Sequence, residues 1–148
     1  MGTSAKDFFS AEQKEEILKA IKTAEMDTSG EIRVHIENTC PEDVLDRTAY
    51  LFKKLGMTKT KLRNGVLIYL AVRSRKFAII GDMGINKVVP SNFWDQIRQD
   101  MLEQFKNDRF TEGLCQAIMA AGNQLKSGFP HQEDDVNELP DDISFGKK

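Results

Sequence analysis

Seven consecutive apolar residues, Val66-Leu67-Ile68-Tyr69-Leu70-Ala71-Val72, restrict the possible folds of this chain more than any other feature. The run is far short of the roughly 20 residues needed to cross a bilayer. It is rich in β-branched and aromatic residues, and apolar side chains at every position suit a strand covered on both faces. Asn64-Gly65 precedes it and Arg73-Ser74-Arg75 follows it, so the run is bounded by turn chemistry. It predicts the central strand of a layered α/β domain.

The neighbouring segments follow from that strand. Lys76-Phe77-Ala78-Ile79-Ile80 lies beyond a link too short for a crossover, so it is expected to pair antiparallel with the central strand as a hairpin. Upstream, Ile32, Val34 and Ile36 alternate with Arg33, His35 and Glu37, the pattern of a strand wetted on one side. His35 is therefore expected at the surface. A helical stripe of Leu45, Ala49, Phe52 and Leu55, opened by Pro41 and ended by Gly56, separates these two strands and predicts a parallel, right-handed crossover. Three more helices are expected. One follows Ser10 and Gln13, whose spacing makes a capping box; one begins at Pro90-Ser91 and carries Trp94, Ile97, Met101 and Phe105; one is capped by Thr111 and carries Leu114, Ile118, Ala121 and Leu125. The expected architecture is α/β, a small mixed sheet of three strands flanked by about four helices. A folded domain over residues 8–128 leads into an acidic tail over 129–148.

Composition narrows the function classes. With 21 basic against 23 acidic residues and a net charge of -2, the chain lacks the field that would favour nucleic acid or an anionic membrane surface. Neither is expected as a partner. No apolar segment marks a secretory leader, so a cytoplasmic monomer is expected, with Cys40 and Cys115 as reduced thiols. The phosphate-cradling and dinucleotide glycine motifs, the His-Glu-x-x-His zinc helix and the Gly-x-Ser-x-Gly elbow are all missing, and Cys40 with Arg47 is out of register for a phosphatase loop. The aromatic group Phe93, Trp94, Phe105 and Phe110 reads as core.

One constellation points to chemistry. If the three strands pair as described, Asp82, Glu31 and Asn64 converge on one rim of the sheet, with Glu25 and Asp27 arriving from the end of the first helix. All are oxygen donors. Gly30, Gly65, Gly81 and Gly84 allow backbone carbonyls to approach as well, a ligand set suited to calcium or another hard divalent cation. Acids beside glycines at strand ends are also ordinary turn chemistry. The tail offers a second acidic set, Asp134, Asp135, Glu138, Asp141 and Asp142, without the spacing of an EF-hand loop.

Four blocks in order carry a family resemblance. Thr28-Ser29-Gly30-Glu31-Ile32-Arg33-Val34, Asn64-Gly65-Val66-Leu67-Ile68, Arg75-Lys76-Phe77 with Gly81-Asp82-Met83-Gly84, and Asp108-Arg109-Phe110-Thr111-Glu112-Gly113-Leu114 resemble the successive blocks of the TPM domain, over about residues 8–127. The resemblance implies an α/β/α sandwich. Family members include a plant thylakoid-lumen protein associated with photosystem II repair and acid phosphatase activity, an auxiliary protein of acetylcholine receptors, and compact bacterial proteins, which this chain resembles most. Calcium binding is associated with the family, and carried over it falls near Asp82 and Glu31. Three functions are thereby expected to compete: a calcium-binding accessory or interaction module, a metal-assisted phosphomonoesterase, and a protein-binding domain that uses the acidic tail.

Overall fold

The computed structural model describes residues 5–130 and 143–146. Its elements run α1 (Ala5–Phe8), α2 (Ala11–Glu25), β1 (Glu31–Glu37), α3 (Val44–Lys54), a 3-10 turn (Met57–Lys59), β2 (Gly65–Ala71), β3 (Lys76–Gly81), α4 (Met83–Asn86), α5 (Phe93–Lys106), α6 (Phe110–Gly128) and β4 (Ile143–Phe145). The strands form one mixed sheet in the order β3-β2-β1-β4. β1 runs parallel to β2 and to β4, and β2 with β3 is the antiparallel hairpin that the short link required.

The sheet divides the apolar side chains into two layers. Ile32, Val34, Ile36, Val66, Ile68, Leu70 and Ile79 face a large core built with α2, α5 and α6. On the other face Leu67, Tyr69 and Ala71 pack with Leu51, Phe52, Met57 and Cys40 around α3. Every residue of β2 is buried, as a strand between two layers demands. The two layers are unequal, however. A helix about 10 Å across spans roughly two strands spaced about 4.8 Å apart, and α3 lies against β2 and β3. The same face of β1 and β4 is left to polar side chains and a cavity.

Several sequence expectations are corrected. Among the described residues the sheet has four strands, because Ile143-Ser144-Phe145 of the predicted tail pairs with Val34, His35 and Ile36. The acids Asp134, Asp135, Glu138, Asp141 and Asp142 lie outside the described residues. Pro41 does not open a helix; Asp43 does, accepting hydrogen bonds from the Leu45 and Asp46 N–H groups at 3.1 Å. Thr111 lies inside α6 and is buried rather than capping it, and α5 starts at Phe93, beyond Pro90-Ser91. By contrast, Ser10 and Gln13 form the expected capping box, the two bonds measuring 3.1 and 2.9 Å. The strand β1 is not wetted on one side, since His35 is only 4% exposed and Glu37 5%.

Candidate functional site

The two ends of the sheet hold different chemistry. At the N-terminal ends of β1 and β2, Glu31 lies opposite Gly65 and Val66 opposite Gly81. The Glu31 N–H donates to the Asn64 carbonyl at 3.3 Å, and the Asp82 N–H to the Gly65 carbonyl at 2.9 Å. The backbones of Glu31, Asn64 and Asp82 therefore meet at one rim.

Their side chains are partly engaged. Asp82 is buried and receives Arg63 Nε at 2.6 Å and Nη2 at 2.8 Å, while its Oδ1 also caps the Met83 N–H at 2.8 Å. Asp82 in turn raises the Arg63 pKa. Glu25 Oε2 accepts from the Ile32 N–H at 2.6 Å, which ties the end of α2 to β1. Asp27 stands apart on the surface, 4.0 Å from Lys126. Asn64 donates through Nδ2 to Ser29 Oγ at 3.3 Å, but its Oδ1 is buried and has no hydrogen-bond partner. Glu31 is buried beside it in the fold. Among the described residues, no three His, Cys, Asp or Glu side chains gather at metal-holding spacing. A cation at this rim would rely on two carboxylates, the Asn64 amide oxygen and backbone carbonyls or water.

The C-terminal ends of β1 and β4 carry a buried polar network that reading the sequence missed. Glu37 accepts from Arg47 Nε at 3.1 Å, from Arg47 Nη2, and from the Tyr69 hydroxyl at 2.6 Å. His35 Nε2 lies 3.1 Å from Glu37 Oε1, and His35 Nδ1 lies 2.7 Å from Ser144 Oγ. The His35 ring stacks on that of Tyr69, with centroids 6.1 Å apart. These residues line or underlie a cavity of about 740 Å³ between β1, β4 and α3, walled by Arg47, Leu51, Lys54, Leu55, Ser144 and Phe145. A sequence signal did exist. If β2 is covered on both faces, the neighbouring strand should be too, and the polar side chains His35 and Glu37 on that face must then be buried and paired.

Burial sets the charges of the network. Burial lowers the His35 pKa below its ordinary 6.5, outweighing the opposing pull of Glu37, so the ring is neutral at pH 7. For Glu37 burial alone would raise the pKa, but the hydrogen bonds from Arg47, Tyr69 and His35 together bring it below 4.5. Arg47 and Tyr69 are both shifted upward, Arg47 chiefly by its bonds to Glu37 and Tyr69 chiefly by burial. Both depressed groups stabilise the fold above their ordinary pKa values and lose that contribution as pH falls through their folded values. The melting temperature is therefore expected to be level above about pH 6.5 and to fall on acidification, first with His35 and then with Glu37. His35→Gln should flatten the first part of the fall, and a pH profile identical to that of the unmodified chain would refute the assignment.

Three solved structures are similar to this one. The NMR structure of BA42 protein from the psychrophilic bacterium Bizionia argentinensis is 50% identical, with a TM-score of 0.88, covering 94% of this chain and 96% of that one. The N-terminal domain of a protein from P. gingivalis matches at 20% identity and a TM-score of 0.70 over 84% of this chain and 82% of that one. The N-terminal domain of the cg2496 protein of Corynebacterium glutamicum matches at 13% identity and a TM-score of 0.64 over 95% and 82%. These last two share the fold alone. The model of the TPM domain matches residues 3–124, and the chain belongs to that family. No curated protein matches it. No helix among the described residues is long and apolar enough to cross a membrane.

Proposed function

We propose that this TPM domain is an accessory or interaction module that takes a divalent cation, calcium first, at the rim formed by Glu31, Asn64 and Asp82. The observation that supports this reading is the Asn64 Oδ1 atom, buried without a partner at the rim where the backbones of Glu31 and Asp82 meet. A buried acceptor left unpaired costs about 1–3 kcal/mol, and a hard cation would satisfy it. Arg63 now neutralises Asp82, and its side chain is 37% exposed, so it is free to swing outward when a dication replaces it.

A calcium titration followed residue by residue by NMR tests the proposal. Shifts should centre on Glu31, Asn64 and Asp82, Asp82→Asn should remove them, and Arg63→Gln should strengthen binding by freeing the carboxylate. At a calcium concentration 100 times the Kd, the gain is about 2.7 kcal/mol, and the melting temperature should rise by about 5–10 °C. Shifts confined to residues 133–142, or none at 10-millimolar-scale calcium, would dismiss the rim. Phosphate-ester turnover that needs calcium and disappears in Asp82→Asn would make the same site a metal-assisted phosphomonoesterase instead.

A further inference from the structure

We propose that Ser144, His35 and Glu37 form a second site, independent of the rim, that hydrolyses short-chain carboxylic esters in the cavity beside α3. The geometry fixes the direction of each hydrogen bond. Glu37 is a carboxylate held by Arg47 and Tyr69, so the nitrogen facing it, His35 Nε2 at 3.1 Å, must carry the hydrogen. In the neutral ring Nδ1 then keeps its lone pair, and the contact at 2.7 Å is Ser144 donating its hydroxyl hydrogen to His35. A serine bonded to an unprotonated imidazole whose far nitrogen is oriented by a carboxylate is the arrangement of an activated nucleophile, whichever ring nitrogen plays which part. His35 is neutral for the reason already given, burial, so it is competent as a base at pH 7.

The position supports the same reading. β1, β2 and β4 are parallel, and the chain leaves β1 toward β2 on one side while β4 arrives on the other. Ligands of open α/β sheets bind beyond the carboxyl ends of the strands at such a switch point. Ser144 is half-buried and lines the cavity, so its hydroxyl is within reach of a bound molecule. Leu51, Leu55 and Phe145 offer an apolar wall for a short acyl chain.

The chemistry balances without a cofactor. Ser144 Oγ attacks the ester carbonyl carbon as its proton passes to His35 Nδ1. The carbon–oxygen bond to the alcohol breaks, the alcohol leaves with that proton, and the acyl group stays on Ser144. Water then attacks the acyl carbon, giving one proton to His35, which returns it to Ser144 as the carboxylic acid departs. Glu37 is a positioning residue: it orients the ring and stabilises the imidazolium that forms in each step.

The full chain treated with a fluorophosphonate probe should gain one covalent adduct, mapped by mass spectrometry to Ser144, and should turn over p-nitrophenyl butyrate. Ser144→Ala should abolish both, and His35→Gln should slow both by at least about 100-fold. Wild-type turnover should rise with pH and level off below 6.5, as the depressed His35 titrates. Ser144→Cys provides a second route if the alanine variant fails to fold. Its thiol should react with iodoacetamide at pH 7 ahead of Cys40, which is buried, and Cys115, whose thiol burial pushes up to about 11. An unlabelled wild type, labelling that persists in Ser144→Ala, or a Ser144→Cys thiol no faster than the native two would overturn the proposal.

Discussion

Glu37→Ala is expected to destabilise the domain by about 3–5 kcal/mol, the usual cost of removing one partner from a buried ion pair. Glu37 is 5% exposed and its carboxylate accepts four hydrogen bonds from three side chains. Without it, the Tyr69 hydroxyl and the His35 Nε2 hydrogen lose their acceptor inside the fold, and the Arg47 guanidinium loses both bonds that hold it over β1. For a chain of this size that corresponds to a fall of about 10 °C or more in melting temperature. Urea titrations of the two proteins measure it directly. Glu37→Gln should cost less, since the amide oxygen still accepts from Tyr69 or Arg47, although the charge is lost. The triple replacement of Glu37, Arg47 and His35 by apolar residues of similar volume should recover much of the loss, because no buried charge is then left unpaired. A cost below about 1 kcal/mol for Glu37→Ala would mean that water entering the cavity solvates the orphaned groups, and that the network is wet rather than structural.

This network also marks the boundary of what the chain reveals without coordinates. The hairpin, the parallel β1–β2 pair and the helix order were legible, because each depends on local periodicity and on links too short or long enough to allow only one relation. The rim of Glu31, Asn64 and Asp82 was legible for the same reason: register alone carries those residues to one place. The polar end was not. His35 and Glu37 alternate with apolar residues like any half-wetted strand, and what buries them is the flanking of β1 by β2 and β4 together with Arg47, Tyr69 and Ser144 bonded to them. Ser144 was further out of sight. Three residues are too few to show a strand period, and Ile143-Ser144-Phe145 follows an acidic stretch that reads as solvated. What places it beside His35 is a long-range pairing, Val34 with Ile143 and Ile36 with Phe145, that no local signal encodes.

The side chains of the rim were also less available than the pattern of acids implied. Aspartate at the end of a strand has local duties, and Asp82 performs two, capping the Met83 N–H and holding Arg63. Glu25 likewise satisfies a backbone donor of β1 rather than facing open space. A sequence shows that oxygen donors converge, whereas the competition for them from neighbouring N–H groups appears only in three dimensions.

Gly84→Ala should be among the most disruptive single-methyl additions, costing about 3 kcal/mol or more. A Cβ at Gly84 would lie 2.0 Å from the Leu62 carbonyl oxygen and 2.6 Å from that of Arg63. Overpacking by one methyl commonly costs about 1–3 kcal/mol when side chains can yield, but here the obstacles are backbone atoms. They are fixed, because the Gly84 N–H donates to the Arg63 carbonyl at 2.9 Å and Arg63 itself holds a left-handed backbone at φ 51°. Relieving the clash requires α4 to move away from the 62–63 loop, which stretches the Asp82–Arg63 pair at the same time. The glycine thus admits a carbonyl to the rim, as the clustering of glycines there implied, and the two consequences are separable by experiment. Chemical denaturation should report the loss of stability, and NMR shifts of the Arg63 Nε–H should report the loosened pair. A variant as stable as the parent, with an unshifted Arg63 signal, would show that α4 and the loop can part without cost and that the rim is less rigid than its hydrogen bonds imply.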